Sequence, residues 1–193
     1  MALAGKIIWV LGIVTWYVIR YPFERKAKRV RVVGGARSAS ERVGLVAATL
    51  GLGVIPGFYV ATGFPRWAEY AAPAWSVVLG ALVYGAGLWL FRRSHKDLGK
   101  NWSITLEIRD QHRLVSNGVY QRVRHPMYSA FWLMAAGQVL LLPNWFAGVA
   151  GLVGFGVLFF LRVGKEEDMM RETFGDEYRA YMQRTKRIIP GIY

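Results

Sequence analysis

Between His112 and Tyr128 the chain concentrates groups able to bind and orient a polar ligand. This stretch holds His112, Arg113, Tyr120, Arg122, Arg124, His125 and Tyr128, with Gly118 and Pro126 to shape the backbone. A second polar group, Arg162 with Glu166 and Glu167, follows later in the chain. On a helix Arg162 and Glu166 are four residues apart and share a face. Read blandly, they are a snorkelling arginine and a helix-supporting ion pair. Read chemically, an arginine at a membrane edge suits two-pronged capture of a carboxylate or phosphate, while a glutamate beside it faces a cationic or hydroxyl-bearing ligand. Arg124-His125-Pro126 also has a bland reading, as a positive flank and a helix-start proline. Tyr120 and Tyr128 on either side of it, and the turn-permitting Gly118, favour a binding role.

Other chemistries fail on residue type or spacing. There is no cysteine, so thiolate metal sites, disulfides and cysteine nucleophiles are excluded. His95, His112 and His125 are not paired at i, i+4, and His-Glu-x-x-His is absent, so no metal is expected. No nucleophile elbow accompanies the histidines. Gly51-Leu52-Gly53 lies inside an apolar run without the downstream glycine of a dinucleotide loop. It reads as small residues that let helices approach.

The elements that must carry these groups are apolar. Hydrophobic residues make up 54% of the chain, and five apolar segments stand out: Ile7–Ile19, Val43–Thr62, Ala74–Phe91, Met127–Leu142 and Trp145–Leu161. A spanning helix needs about 20 residues. The second and third segments fit. The last two are short and joined only by Pro143-Asn144, which predicts a tight helical hairpin. The first lacks a cleavage site and is read as a retained span. Beyond Leu161 the tail predicts a surface helix from about Lys165, broken at Phe174-Gly175-Asp176 and resuming through Glu177 to about Lys186, with Met169, Met170, Tyr178 and Tyr181 on its apolar side.

Charge sets the expected topology. The net charge is +13, and the basic residues fall in blocks between apolar segments, which favours anionic membrane lipids over nucleic acid as a partner. Residues 20–42, 92–126 and the tail from Arg162 are rich in Lys and Arg, whereas 63–73 carries only Arg66 and the hairpin turn carries none. The pattern predicts an all-α polytopic membrane protein with about five transmembrane helices. The N-terminus is placed outside, and the site and C-terminus in the cytoplasm. One membrane domain is expected, with residues 1–91 giving three N-terminal spans and 92–193 a catalytic half.

In chain order the polar residues resemble the isoprenylcysteine carboxyl methyltransferase family of integral-membrane, S-adenosyl-L-methionine-dependent enzymes. The matching pattern is Leu98-Gly99-Lys100-Asn101-Trp102-Ser103, His112-x-Leu114-Val115, Gly118-Val119-Tyr120 and Arg124-His125-Pro126-x-Tyr128. It continues with Arg162, Glu166-Glu167 and Phe174-Gly175-x-x-Tyr178-x-x-Tyr181, and covers about Leu98 to Gly191. The resemblance implies a cytoplasmic pocket for S-adenosyl-L-methionine formed by His112, Arg113, Leu114, Val115, Tyr120, Arg124, His125, Pro126, Met127, Tyr128 and Glu166 or Glu167. It implies that Arg162 contacts the carboxylate of a lipid-modified cysteine reached from the bilayer, with Arg162, Glu166 and Glu167 as the catalytic group. Phospholipid N-methyltransferases and NADPH-dependent sterol-type reductases share parts of the C-terminal pattern. Both stay open as alternatives, as does a polybasic scaffold without catalysis.

Overall fold

Six α-helices follow one another in the computed structural model, which describes residues 2–27, 32–34, 38–99, 108–109 and 114–193. They are α1 (Ala2–Ala27), α2 (Ala39–Thr49), α3 (Ile55–Thr62), α4 (Ala74–Leu98), α5 (Pro126–Leu141) and α6 (Trp145–Arg184). A π-turn at Leu50–Val54 joins α2 to α3, so the two form one helical run, Ala39–Thr62. The sequence pattern therefore reads correctly as all-α. The only regular extended structure among the described residues is a short antiparallel ladder of β1 (Val32–Gly34) with β2 (Ile108–Arg109).

All five expected apolar segments are helical, and they differ in length. Among the described residues, α1, the α2–α3 run, α4 and α6 are long and apolar enough to cross a membrane. Helix α5 has 16 residues, about 24 Å at 1.5 Å per residue, which falls short of a hydrocarbon core of about 30 Å. Helix α6 errs the other way. It does not stop at Leu161 but continues as a 40-residue element to Arg184, about 60 Å long. The charged tail therefore extends the last span directly. The break expected near Phe174-Gly175-Asp176 is present as a kink at Gly175, with φ 53° and ψ −124°.

Backbone bridges sort the connections into two sets. The β1–β2 ladder ties Val32–Gly34, between α1 and α2, to Ile108–Arg109, between α4 and α5, and Val123 pairs with Lys186. The first connection, the third connection and the tail therefore meet at one end. At the other end Glu69 pairs with Asn144. Asn144 is fully buried and holds that end closed. Its Oδ1 accepts from Ala147 N at 2.9 Å, capping α6, and its Nδ2 donates to Pro65 O at 2.7 Å. Exposed Phe64, Trp67, Trp75, Trp145 and Phe146 surround this end, the aromatic composition of a membrane–water interface.

Packing follows from small residues and one buried amide. Helix α4 packs on α5, and α2 packs along α6. Where α2 crosses α6, a Cβ on Gly154 would stand 2.2 Å from Ala47 O, and one on Gly51 2.1 Å from Ala150 O. Gly53 and Gly85, by contrast, face open space, so close approach explains only part of the glycine content. Gln138 on α5 is fully buried and satisfied. Its Nε2 donates to the carbonyls of Gly51, Ala147 and Gly148, and its Oε1 accepts from Trp9 Nε1 at 3.3 Å. Gly154→Val should force the helices apart against backbone and cost about 1–3 kcal/mol, measured as a lowered unfolding midpoint in detergent.

Candidate functional site

Pro126 begins α5 because its fixed φ suits the first helical turn and its missing N–H is not needed there. His125 stands just outside, at φ −124° and ψ 60°. Its backbone N donates to Arg187 O at 2.8 Å, and Arg124 N donates to Lys186 O at 2.7 Å. Ser129 Oγ donates to Ile188 O at 2.6 Å. The segment after α6 is thus strapped onto the start of α5, with Arg124 and His125 held between them.

The adjacent carboxylates of α6 have different surroundings. Glu167 is fully buried. Its Oε1 accepts from Arg124 Nε and Nη2 at 3.0 and 2.9 Å, its Oε2 accepts from Arg187 Nη2 at 2.9 Å, and His125 Nε2 lies 3.3 Å from Oε1. Arg124 Nη1 also donates to Thr185 O. Burial of Glu167 with Arg124 is tolerable because their hydrogen-bonding groups find partners, and Arg187 reaches the same carboxylate from a partly exposed position. The Arg187 guanidinium is held above its usual range by its hydrogen bonds to Glu167 and then to Tyr193.

Glu166 points elsewhere. Tyr128 OH donates to its Oε2 at 2.5 Å, Arg162 Nε lies 3.6 Å from the same oxygen, and His125 Nδ1 lies 3.9 Å from Oε1. The rings of His125 and Tyr128 stack at 5.3 Å with an 18° tilt. Arg162 Nη1 stands 3.6 Å from the buried Glu41 Oε1 in the first turn of α2. Glu41 is a member of this cluster that sequence reasoning missed.

A third element brings Tyr120 in. The turn Gly118–Gln121 is pinned by Val119 N donating to Asp97 Oδ2 at 3.0 Å, and Tyr181 OH donates to Tyr120 O at 2.6 Å. Tyr120 is buried, which pushes its phenol well above its ordinary value, with nearby Glu166 adding to the effect. Gly118 has φ +59°, and a Cβ there would lie 2.1 Å from Asp97 Oδ2. Gly118→Ala should therefore cost about 1–2 kcal/mol in backbone strain alone and displace the turn. The check is the unfolding midpoint in detergent, expected to fall by about 2–8 °C.

The structure thus brings Tyr120, Arg124, His125, Tyr128, Arg162, Glu166 and Glu167 into one network. Pro126 is buried at the helix start, and Met127 is half-buried against the core of α1, α4 and α5. Leu114 and Val115 are half-buried in irregular backbone before the turn. His112 and Arg113 lie outside the described residues, as does the Lys100–Ser103 part of the motif. Tyr178 and Tyr181, expected on the apolar face of a surface helix, are buried. Tyr181 serves the Tyr120 turn instead. Among the described residues no group of three or more His, Asp or Glu is arranged to hold a metal.

Long apolar helices, exposed apolar side chains such as Leu82, Trp89 and Phe160, and one buried polar network at an end of the bundle define an integral-membrane helical protein. The chain belongs to the phospholipid methyltransferase family, whose pattern matches residues 75–177, slightly more than half of it. It is similar to a probable protein-S-isoprenylcysteine O-methyltransferase of Oryza sativa subsp. indica, 37% identical over 89 residues, 46% of this chain and 47% of the relative. The protein-S-isoprenylcysteine O-methyltransferase of Homo sapiens is 30% identical over 128 residues, 65% of this chain and 45% of the relative. The chain spans about half the length of these relatives. A solved structure of a eukaryotic intramembrane Ras methyltransferase, isoprenylcysteine carboxyl methyltransferase, is similar with TM-score 0.55 and 25% identity, covering 82% of this chain and 55% of that one. The resemblance drawn from Leu98 onward therefore stands.

Proposed function

We propose that this protein is a membrane methyltransferase that takes its methyl group from S-adenosyl-L-methionine and transfers it to the carboxylate of an isoprenylated cysteine. The observation that carries the reading is the convergence of Arg162, Glu166, His125 and Tyr128 at one point of the fold, in a chain whose relatives are named for this reaction.

The residues fit the methyl donor chemically. Glu166 offers a carboxylate to a cationic group, and Tyr120, Tyr128 and His125 offer hydrogen-bonding partners beside it. The donor supplies an electrophilic methyl on a sulfonium. The acceptor carboxylate is ionised at neutral pH, with a reference pKa of about 3.3–3.7, so no general base is required. Arg162 holds and orients the acceptor carboxylate for in-line attack. With the donor bound, the acceptor oxygen held by Arg162 would take the methyl carbon as the C–S bond broke, the electron pair staying on sulfur as a neutral thioether. Attack of an anion on a cation disperses charge, so exclusion of water helps the step. The isoprenoid chain is assigned to the bilayer side.

In this reading the site end and the C-terminus are cytoplasmic and the N-terminus is outside. Exposed Arg25, Lys26, Arg42, Lys165 and Lys186 are assigned to contact with anionic lipids. The chain works as one membrane domain whose catalytic half begins near residue 92. His112 and Arg113 are assigned to the cofactor with Leu114, Val115, Tyr120, Pro126 and Met127.

The name of the matched family favours a second reading, methylation of a phospholipid amine. A protonated amine must first lose a proton, and His125 or Glu166 would then serve as base. Isothermal titration of S-adenosylhomocysteine into detergent-solubilised protein should show binding that His125→Ala weakens. Methyl transfer to farnesylated cysteine rather than to phosphatidylethanolamine then separates the readings. Absence of binding by folded wild-type protein would remove both.

A further inference from the structure

Glu41 and Glu167 are the two buried carboxylates among the described residues. Glu167 anchors the Arg124–Arg187 cluster, and Glu41 has no role in the proposed chemistry. Glu41 sits in the first turn of α2, where Ser38 Oγ accepts from Glu41 N at 3.2 Å. Ser38-x-x-Glu41 is the spacing of a capping box, in which the glutamate side chain turns back to its own cap residue. Here the carboxylate stands across the bundle, 3.6 Å from Arg162 Nη1. Glu166 approaches the same guanidinium at Nε, also at 3.6 Å. Arg162 is therefore flanked by two carboxylates from different helices, with its side chain 11% exposed. An arginine left alone samples many rotamers, and each fixed partner removes part of that freedom.

We propose that Glu41 is a positioning residue for the methyl-acceptor site. It fixes the Nη1 side of Arg162 so that the guanidinium meets the acceptor anion in one orientation. The inference rests on the proposed function. It extends the site to the N-terminal half, since Glu41 lies well before the family match at residues 75–177. The close α2–α6 crossing at Gly51 and Gly154 would then set how deeply Glu41 reaches toward Arg162.

The test uses the full chain in detergent, comparing wild type, Glu41→Gln, Glu41→Asp, Arg162→Lys and the Glu41→Gln/Arg162→Lys double variant. N-acetylated S-farnesylcysteine serves as acceptor, with titration of S-adenosylhomocysteine in parallel. A wild type that binds the thioether but does not methylate the acceptor refutes the functional reading before any variant is considered. With an active wild type, Glu41→Gln should raise the acceptor KM about 10- to 100-fold, the range seen when the hydrogen-bonded support of a ligating group is lost. S-adenosylhomocysteine affinity should stay within about twofold, and Glu41→Asp should recover most of the acceptor affinity. In the double variant the two losses should not multiply. An unchanged acceptor KM, multiplying losses, or equal loss of cofactor and acceptor binding in both Glu41 variants would each overturn the proposal. The last result would make Glu41 a fold residue only.

Discussion

Glu167→Ala should lower the stability of this protein by about 3–5 kcal/mol, because it leaves two guanidinium groups and an imidazole facing a hole where a carboxylate stood. Arg124 is 8% exposed at its side chain and loses both of its bonds to Oε1. Arg187 loses the bonds that tie the tail to α6. The strap over His125 should loosen with it, so cofactor affinity falls as a consequence of the fold. The unfolding midpoint in detergent should drop by roughly 10 °C, at about 2–4 °C per kcal/mol for a chain of this size. Glu166→Gln provides the contrast. Its carboxylate is partly exposed and shared with Tyr128 and Arg162, so the midpoint should hardly move while S-adenosylhomocysteine affinity falls. The opposite pattern would reverse the assignment of the two glutamates.

Arg162→Ala should reduce kcat/KM for a farnesylated cysteine about 100-fold or more, since a misplaced acceptor loses most of the advantage of orientation. The charge sits where the apolar part of α6 ends, with Glu41 and Glu166 both beside it. Removing it leaves Glu41 buried without this countercharge, so some destabilisation accompanies the kinetic loss. Arg162→Lys separates the two effects. It keeps the charge but lacks the planar fork, so stability should recover more than turnover. Affinity for S-adenosylhomocysteine should change only a few-fold in either variant. A variant that methylates at the wild-type rate would show that Arg162 is an ordinary snorkelling residue.

The parts of this architecture that local pattern controls were legible in the sequence. The hairpin at Pro143-Asn144, the helix start at Pro126, the break at Gly175 and the grouping of basic connections all rest on neighbouring residues. The end of the last span was not legible, because Arg162 marks a change of environment while the helix itself continues. Nor was the division of labour between Glu166 and Glu167. Adjacent positions on a helix differ by about 100°, and only the placement of Arg124 and Arg187 shows which one faces inward. Glu41 lay outside the motif entirely. Its local signal is a capping pattern, and its partner comes from α6, far along the chain. Tyr178 and Tyr181 carry the spacing of an amphipathic helix, but both are buried, Tyr181 against the Tyr120 turn.

Helix α6 acts as an indexed shaft. The crossing at Gly154 and the charged positions Arg162, Glu166 and Glu167 lie on one uninterrupted stretch, so inserting one residue between them would rotate everything downstream by about 100°. Arg162 would swing away from Glu41, and Glu166 would take the inward position while Glu167 turned about 100° past it. Changes in the length of the connecting loops should therefore be tolerated better in this chain than any change in the interval from residue 154 to residue 167. A single-residue deletion there should abolish function even if every side chain named above were retained.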